Sequence, residues 1–301
     1  MNIISVRDLS ISYASLMALN KVNLEVPRGV VYGIIGPDGA GKTTLLRSLC
    51  TLLPYTKGSI QVLGNDALSQ SAAIRAAIGY MPQRFSLYQD LSVEQNIRFF
   101  AKLFRVKNRE MLQRREQLYN FSRLKPFAKR LAGNLSGGMK QKLALSCALI
   151  HTPELIILDE PTFGVDPVSR VEFWQILHKL KGDGVSIVVS TPYMDEAVQC
   201  DEITLLHKGE VIGQGSPQEI IGSWQGRLYR LVAEDLQALY KYLTGKIDRA
   251  DLQLFGSEIH LYSWKDLDAQ TVDSWRREHP GLKSCDEIQP GMEDVFLKMM
   301  Q

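Results

Sequence analysis

Gly36-Pro37-Asp38-Gly39-Ala40-Gly41-Lys42-Thr43-Thr44 is the stretch whose reading decides the fold. It satisfies the pattern G-x-x-x-x-G-K-[ST] at every fixed position. The apolar run Val30-Val31-Tyr32-Gly33-Ile34-Ile35 before it predicts a buried strand, and Thr44 to Cys50 after it predicts a helix. Glycines let backbone N–H groups curl round an anion, and a helix N-terminus adds partial positive charge. Lys42 can then reach outer phosphates, and the Thr43 hydroxyl can ligate magnesium. A glycine-rich turn with a chance lysine is the alternative, and the flanking strand and helix argue against it.

The 301 residues suffice for one large α/β domain and a smaller one. Hydrophobic residues make up 45% and charged residues 23%, an ordinary composition that can bury a core. A net charge of +2 gives no reason to propose a nucleic-acid partner. Cys50, Cys147, Cys200 and Cys285 are scattered without metal-ligand spacing, which suits buried thiols in a reducing compartment. The greasiest region, Leu143 to Leu158, is broken by His151, Pro153 and Glu154, so no membrane span is expected. The N-terminus lacks the basic-then-apolar form of a signal peptide. The expectation is a cytoplasmic chain whose membrane role would come through a partner.

Further along, Ile3 to Val6, Leu9 to Tyr13 and Val22 to Val26 predict short strands of an antiparallel unit. Tyr13, just upstream of the phosphate loop, either stacks on a nucleotide base or is a surface tyrosine closing a strand. Ile78-Gly79-Tyr80-Met81-Pro82-Gln83 predicts a short strand with Gln83 at its exit. Val93 to Phe104, Met111 to Phe121 and Phe127 to Leu131 predict a mostly helical insert, its apolar faces serving as core or as a docking surface. Leu135-Ser136-Gly137-Gly138 opens a long helix ending at Leu149. Ser136 there is a helix cap or part of a second anion site.

Leu155-Ile156-Ile157-Leu158-Asp159-Glu160-Pro161 predicts a buried parallel strand ending in two carboxylates. One can serve a phosphate-bound magnesium while the other polarises water; a solvated turn is the alternative. Gly164-Val165-Asp166-Pro167 predicts a turn, and Pro167 suits the first turn of a helix running to about Lys181. Val185 to Ser190 predicts one more buried strand, Thr191 begins a helix, and Ile203 to Gly213 predicts a hairpin through Lys208-Gly209. From Gly226 a β-α-β-β-α order suggests a small α+β unit without a chemical motif.

With these motifs in this order, the chain resembles the ATP-binding subunits of ABC transporters over residues 1 to about 222. The tail Gly291-Met292-Glu293-Asp294-Val295-Phe296 is similar to that of ATPases serving ABC-2-type exporters. The resemblance implies an α/β phosphate-loop ATPase with an antiparallel β subdomain, a RecA-like core and an α-helical subdomain at about 84–135. The expected domains are residues 1–224, the ATP-binding domain, and 225–301, an α+β accessory domain.

The same resemblance implies the ligands and roles. ATP and magnesium are the expected cofactors. Tyr13 would stack on adenine, and Gly36, Pro37, Asp38, Gly39, Ala40, Gly41, Lys42, Thr43 and Thr44 would cradle the phosphates. Asp38 replaces a common asparagine, with its carboxylate expected toward solvent. Thr43, Gln83 and Asp159 would arrange magnesium, and Glu160 would be the general base. Ser136, Gly137 and Gly138 would cap the γ-phosphate of ATP on the opposite subunit, with Asp166 at that interface. Paired permease subunits and a second ATP-binding subunit are the implied partners, with the chain on the inner face of the membrane.

One position departs from the family pattern. A histidine normally follows the strand ending at Ser190; here the run is Ser190-Thr191-Pro192-Tyr193-Met194-Asp195-Glu196-Ala197. Pro192 has no side-chain donor for phosphate or water. Binding is expected to survive, with hydrolysis slowed and a heterodimeric partner favoured. Two other readings are weighed: a soluble ABC ATPase of repair or translation, and an ATP-gated module that hardly turns over. The first lacks the long coiled-coil insert or the second ATP-binding half its types carry.

Overall fold

The computed structural model describes residues 2–14, 16–279 and 281–300. Met1 and Gln301, the outer ends of the two expected domains, lie outside the described residues. The chain divides into two compact units, Met1–Pro217 and Gln218–Gln301. The division falls before residue 224, where it was expected. Trp224 packs edge-on against Tyr262 at 5.1 Å, so the segment leading to it belongs with the second unit.

In the first unit, β1 (Asn2–Tyr13), β2 (Leu16–Pro27), β4 (Lys57–Val62) and β5 (Asn65–Asp66) form an antiparallel sheet in the order β2-β1-β4-β5. The two short strands expected at the start are one strand. Its pairing with β2 shifts register between Val6 and Leu9. Asp8 takes a left-handed φ of 48° there and donates its N–H to Asn23 Oδ1 at 3.0 Å. A bulge of this kind bends a strand without ending it.

A second sheet, in the order β10-β9-β3-β8-β7-β6, holds β3 (Val31–Ile35), β6 (Ile78–Met81), β7 (Leu155–Asp159), β8 (Ser186–Thr191), β9 (Glu202–His207) and β10 (Glu210–Gly215). β3 lies parallel to β8 and β9, and β7 lies parallel to β6 and β8. Every residue of β3, β7 and β8 is buried, as expected of parallel strands covered on both faces. Helix α1 (Lys42–Leu49) follows β3. Its Leu45, Leu46 and Leu49 join Val6 and Leu24 of the first sheet and Ile157 and Val188 of the second in one core.

Helices α2 (Ser71–Ala77), α3 (Val93–Leu103) and α4 (Asn108–Ser122) precede the glycine-rich start of α5 (Gly137–Leu149). The expected third helical stretch at 127–131 is instead a 3-10 turn, Lys125–Phe127, followed by a bridge from Leu131 to Ser92. Pro126 suits a short turn and removes a helix donor. Ser92 and Gln95 cap α3 reciprocally. Two further helices, α6 (Pro167–Gly182) and α7 (Met194–Ala197), flank β8. Thr191, expected to begin a helix, ends β8 instead. The short α8 (Pro217–Gly222) crosses the division between units.

The second unit is built on an antiparallel sheet in the order β12-β13-β11-β14, from β11 (Arg227–Ala233), β12 (Leu252–Phe255), β13 (Glu258–Ser263) and β14 (Leu282–Ile288). Leu239 and Leu243 of α9 (Leu236–Leu243) and Trp275 of α10 (Ala269–Glu278) share a core with Tyr229, Leu231 and Leu261. The strand β14 and the helix α11 (Met292–Met299) are additions to the expected order. β14 reads Leu-Lys-Ser-Cys-Asp-Glu-Ile and buries only Leu282, so no alternation of hydrophobicity announces it. Within the tail motif, Asp294 accepts the Gly291 N–H at 2.8 Å and lies 2.6 Å from His260 Nδ1, fastening α11 to β13.

Among the described residues, no helix is long and apolar enough to cross a membrane.

Candidate functional site

The phosphate loop leaves β3 through Gly36, where a Cβ atom would stand 2.2 Å from the Leu206 carbonyl oxygen. It enters α1 through Gly41, at φ 106°, where a Cβ would meet the Ala18 carbonyl at 2.7 Å. Both are requirements of close backbone approach that only glycine meets. Gly41 caps α1 without a side-chain hydrogen bond. Asp38 is exposed, as expected.

Lys42 is buried. Its Nζ donates to the carbonyls of Gly36 at 2.8 Å and Pro37 at 3.1 Å, and pairs with Glu160 Oε1 at 3.0 Å. Gln83 Nε2 donates to the other oxygen of Glu160 at 2.7 Å. Glu160 itself sits at a left-handed φ of 48°, with its N–H donated to Ser190. The strand end therefore turns sharply, presenting the carboxylate to the loop.

Its neighbour Asp159 accepts from Thr43 Oγ1 at 3.0 Å and from Ser190 Oγ at 2.9 Å, both through Oδ1. Asp159 Oδ2 is buried with no hydrogen-bond partner. Burial raises the pKa of this carboxyl, while the Ser190 and Thr43 hydroxyls oppose the rise. An orphaned carboxylate oxygen beside a threonine hydroxyl is a hard-oxygen donor set suited to magnesium.

Lys42 and Thr43 come from α1, Gln83 from the exit of β6, Asp159 and Glu160 from the end of β7, and Ser190 from the end of β8. They meet at the carboxyl ends of parallel strands, where open α/β sheets place their ligands. Ser190 was not foreseen as a site residue. Its one readable signal is a hydroxyl directly after the apolar run Ile187-Val188-Val189 of the strand beside the acidic one.

The other expected residues stand apart from this cluster in their bonding. Ser136 caps α5 by accepting from Met139 N at 3.4 Å, and both Ser136 and Gly137 are exposed. Gly138 is buried, and a Cβ on it would meet Ser169 Oγ at 2.6 Å. Asp166 caps α6 by accepting from Ser169 N at 2.9 Å, a hydrogen bond that holds its carboxyl below the usual range. Thus α5 and α6 start side by side, with glycine needed for the contact. Tyr13 ends β1 half exposed.

Fold and site together define a phosphate-loop nucleotide-binding protein. Residues 19–163 match the family ABC transporter. The chain is 38% identical over 287 residues to the probable multidrug ABC transporter ATP-binding protein YbhF of Escherichia coli K12, covering 94% of this chain and 49% of that one. It thus spans about half the length of that relative. It is 32% identical to Nod factor export ATP-binding protein I of Rhizobium sp. strain N33, covering 96% of this chain and 93% of that one. Among solved structures, the dimeric ATP-binding cassette MJ0796 in a post-hydrolysis state with ADP and Pi superposes with a TM-score of 0.65 at 27% identity, over 71% of this chain and 98% of that one. The chain belongs to the ATP-binding proteins of ABC transporters.

Proposed function

We propose that this chain binds magnesium-ATP at the Gly36–Thr44 loop and that its hydrolysis drives an ABC-2-type exporter. The observation that carries the reading is the convergence of Lys42, Glu160 and Gln83 beside the Thr43–Asp159–Ser190 cluster. Tyr13 stacks on adenine; the loop amides, Lys42 and Thr44 hold the phosphates. Magnesium held by Thr43, Gln83 and Asp159 would supply charge neutralisation on the β- and γ-phosphates. Lys42 leaves Glu160 for the phosphates, and the freed carboxylate takes the proton of the attacking water.

Ser136, Gly137 and Gly138 at the start of α5 cap the phosphate of a second subunit's nucleotide, and Asp166 lies at that interface. The partners are a second ATP-binding subunit and a membrane-spanning permease, which places the chain at the inner membrane face. The names of the relatives support export.

A second reading, favoured by Pro192, is a subunit that binds ATP and turns it over slowly. Loss of one preorganised charge-stabilising donor typically costs about 3 kcal/mol, roughly a hundredfold in rate. It favours a heterodimer in which the partner's site carries the histidine and this chain's Ser136, Gly137 and Gly138 complete it.

Phosphate release from ATP by the wild type, Glu160→Gln and Pro192→His separates the readings. A fast wild type abolished by Glu160→Gln supports a self-sufficient site. A wild type as slow as Glu160→Gln, with Pro192→His fast, supports the binding partner. A native complex holding one ATPase species overturns the heterodimer.

A further inference from the structure

The helix capped by Asp166 and the segment that carries Pro192 are fastened to each other by one arginine. Arg170 lies one turn into α6. Its guanidinium carbon stands 4.3 Å from the centroid of the Tyr193 ring, a cation–π distance. Its Nη1 is 3.5 Å from Asp195 and its Nε is 3.6 Å from Glu196 Oε1. Asp195 is mostly exposed, so that pair contributes little. The Glu196 side chain is 3% exposed, so the second pair is the consequential one.

Glu196 is the hub of the segment. Its Oε2 accepts from Thr191 Oγ1 at 2.6 Å and from Thr162 Oγ1 at 3.1 Å. Thr162 lies two residues beyond Glu160; Thr191 lies next to Pro192, and its carbonyl accepts the Gly36 N–H at 3.3 Å. One buried carboxylate therefore ties the strand end that holds Glu160 to the strand end that touches the phosphate loop. Its other oxygen, Oε1, has no hydrogen-bond partner, and neither has Arg170 Nε, which faces it. An approach of less than 1 Å turns this contact into a charge-assisted hydrogen bond of ordinary length.

We propose that Arg170 is a positioning residue for hydrolysis, bracing Tyr193 and Glu196 so that movement of the Asp166 helix is carried to the strand ends around Glu160 and Pro192. This rests on the reading that the site hydrolyses ATP. The brace touches no phosphate, and it acts through Glu196, Thr162 and Thr191.

The test measures kcat, KM and ATP affinity of the full chain in its assembled ATPase, with thermal melting as the control for folding. Arg170→Ala is expected to lower kcat by about tenfold, equivalent to about 1.4 kcal/mol in the barrier, with ATP affinity within about twofold of wild type. Arg170→Lys, which keeps the charge but not the planar stack, is expected to recover part of the rate. Tyr193→Phe is expected to retain the rate and Tyr193→Ala to lose it. The double Arg170→Ala/Tyr193→Ala is expected to fall no further than the worse single variant. Unchanged kcat in Arg170→Ala overturns the brace, as does a loss explained by a lower melting temperature or by weaker ATP binding. A wild type no faster than Glu160→Gln overturns the hydrolysis reading itself, and the brace with it.

Discussion

Removing Lys42 in the absence of nucleotide tests the described site directly, because the loss falls on a buried charge. At 3.0 Å and an effective dielectric of about 20, the Lys42–Glu160 attraction is about 5 to 6 kcal/mol before desolvation is subtracted. Neither side chain is more than 4% exposed, so solvent screening does not erase the pair. Lys42→Ala leaves Glu160 with the Gln83 amide as its side-chain partner, and breaking a buried pair from one side costs about 3 to 5 kcal/mol. Glu160→Gln is milder, since a glutamine oxygen can still accept from Lys42 and the two carbonyl acceptors of Lys42 remain. The double variant Lys42→Ala/Glu160→Gln is therefore expected to be more stable than Lys42→Ala alone. Urea unfolding of the nucleotide-free protein, followed by fluorescence and far-ultraviolet dichroism, measures all four species. A loss below about 1 kcal/mol for Lys42→Ala, or a double variant no more stable than that single one, would refute the stabilising role of the pair.

Gly138→Ala places a methyl group 2.6 Å from Ser169 Oγ, and overpacking of this kind costs about 1 to 3 kcal/mol. Adding Ser169→Gly is expected to restore most of the melting temperature, and its failure to do so would remove the contact as the cause. Ser92→Ala deletes the reciprocal cap of α3 and is expected to cost about 1 kcal/mol in urea unfolding. His151 stacks on Phe104 at 3.8 Å, with Nε2 3.1 Å from the Ile78 carbonyl, and burial lowers its pKa. The unfolded histidine takes up a proton near pH 6.5 while the folded one resists it. This contribution is complete above about pH 6.5 and is lost as the pH falls below it; His151→Gln is expected to flatten that acid slope of stability.

The sequence by itself determined the parts whose information is local. A glycine loop between an apolar run and a helix specifies its own backbone, because Gly39 and Gly41 take left-handed φ values of 78° and 106° that L side chains rarely adopt. The buried strand that ends at Asp159 declares itself by its unbroken apolar run Leu155-Ile156-Ile157-Leu158, and Ser136 and Pro167 declare helix starts. What only the tertiary structure decided is how distant residues meet. Glu160 pairs with Lys42 and Gln83 across more than seventy residues of chain, and Ser190 shares Asp159 with Thr43. Nothing near Arg170 in sequence announces that it stacks on Tyr193 and faces Glu196. The charged edge strand β14 was invisible for the same reason: it buries one side chain and is held by pairing to β11, not by a pattern of its own. Backbone preference and hydrophobic period act over a few residues, whereas hydrogen bonds between strand ends and pairing at a sheet edge exist only once the sheet has brought those ends together.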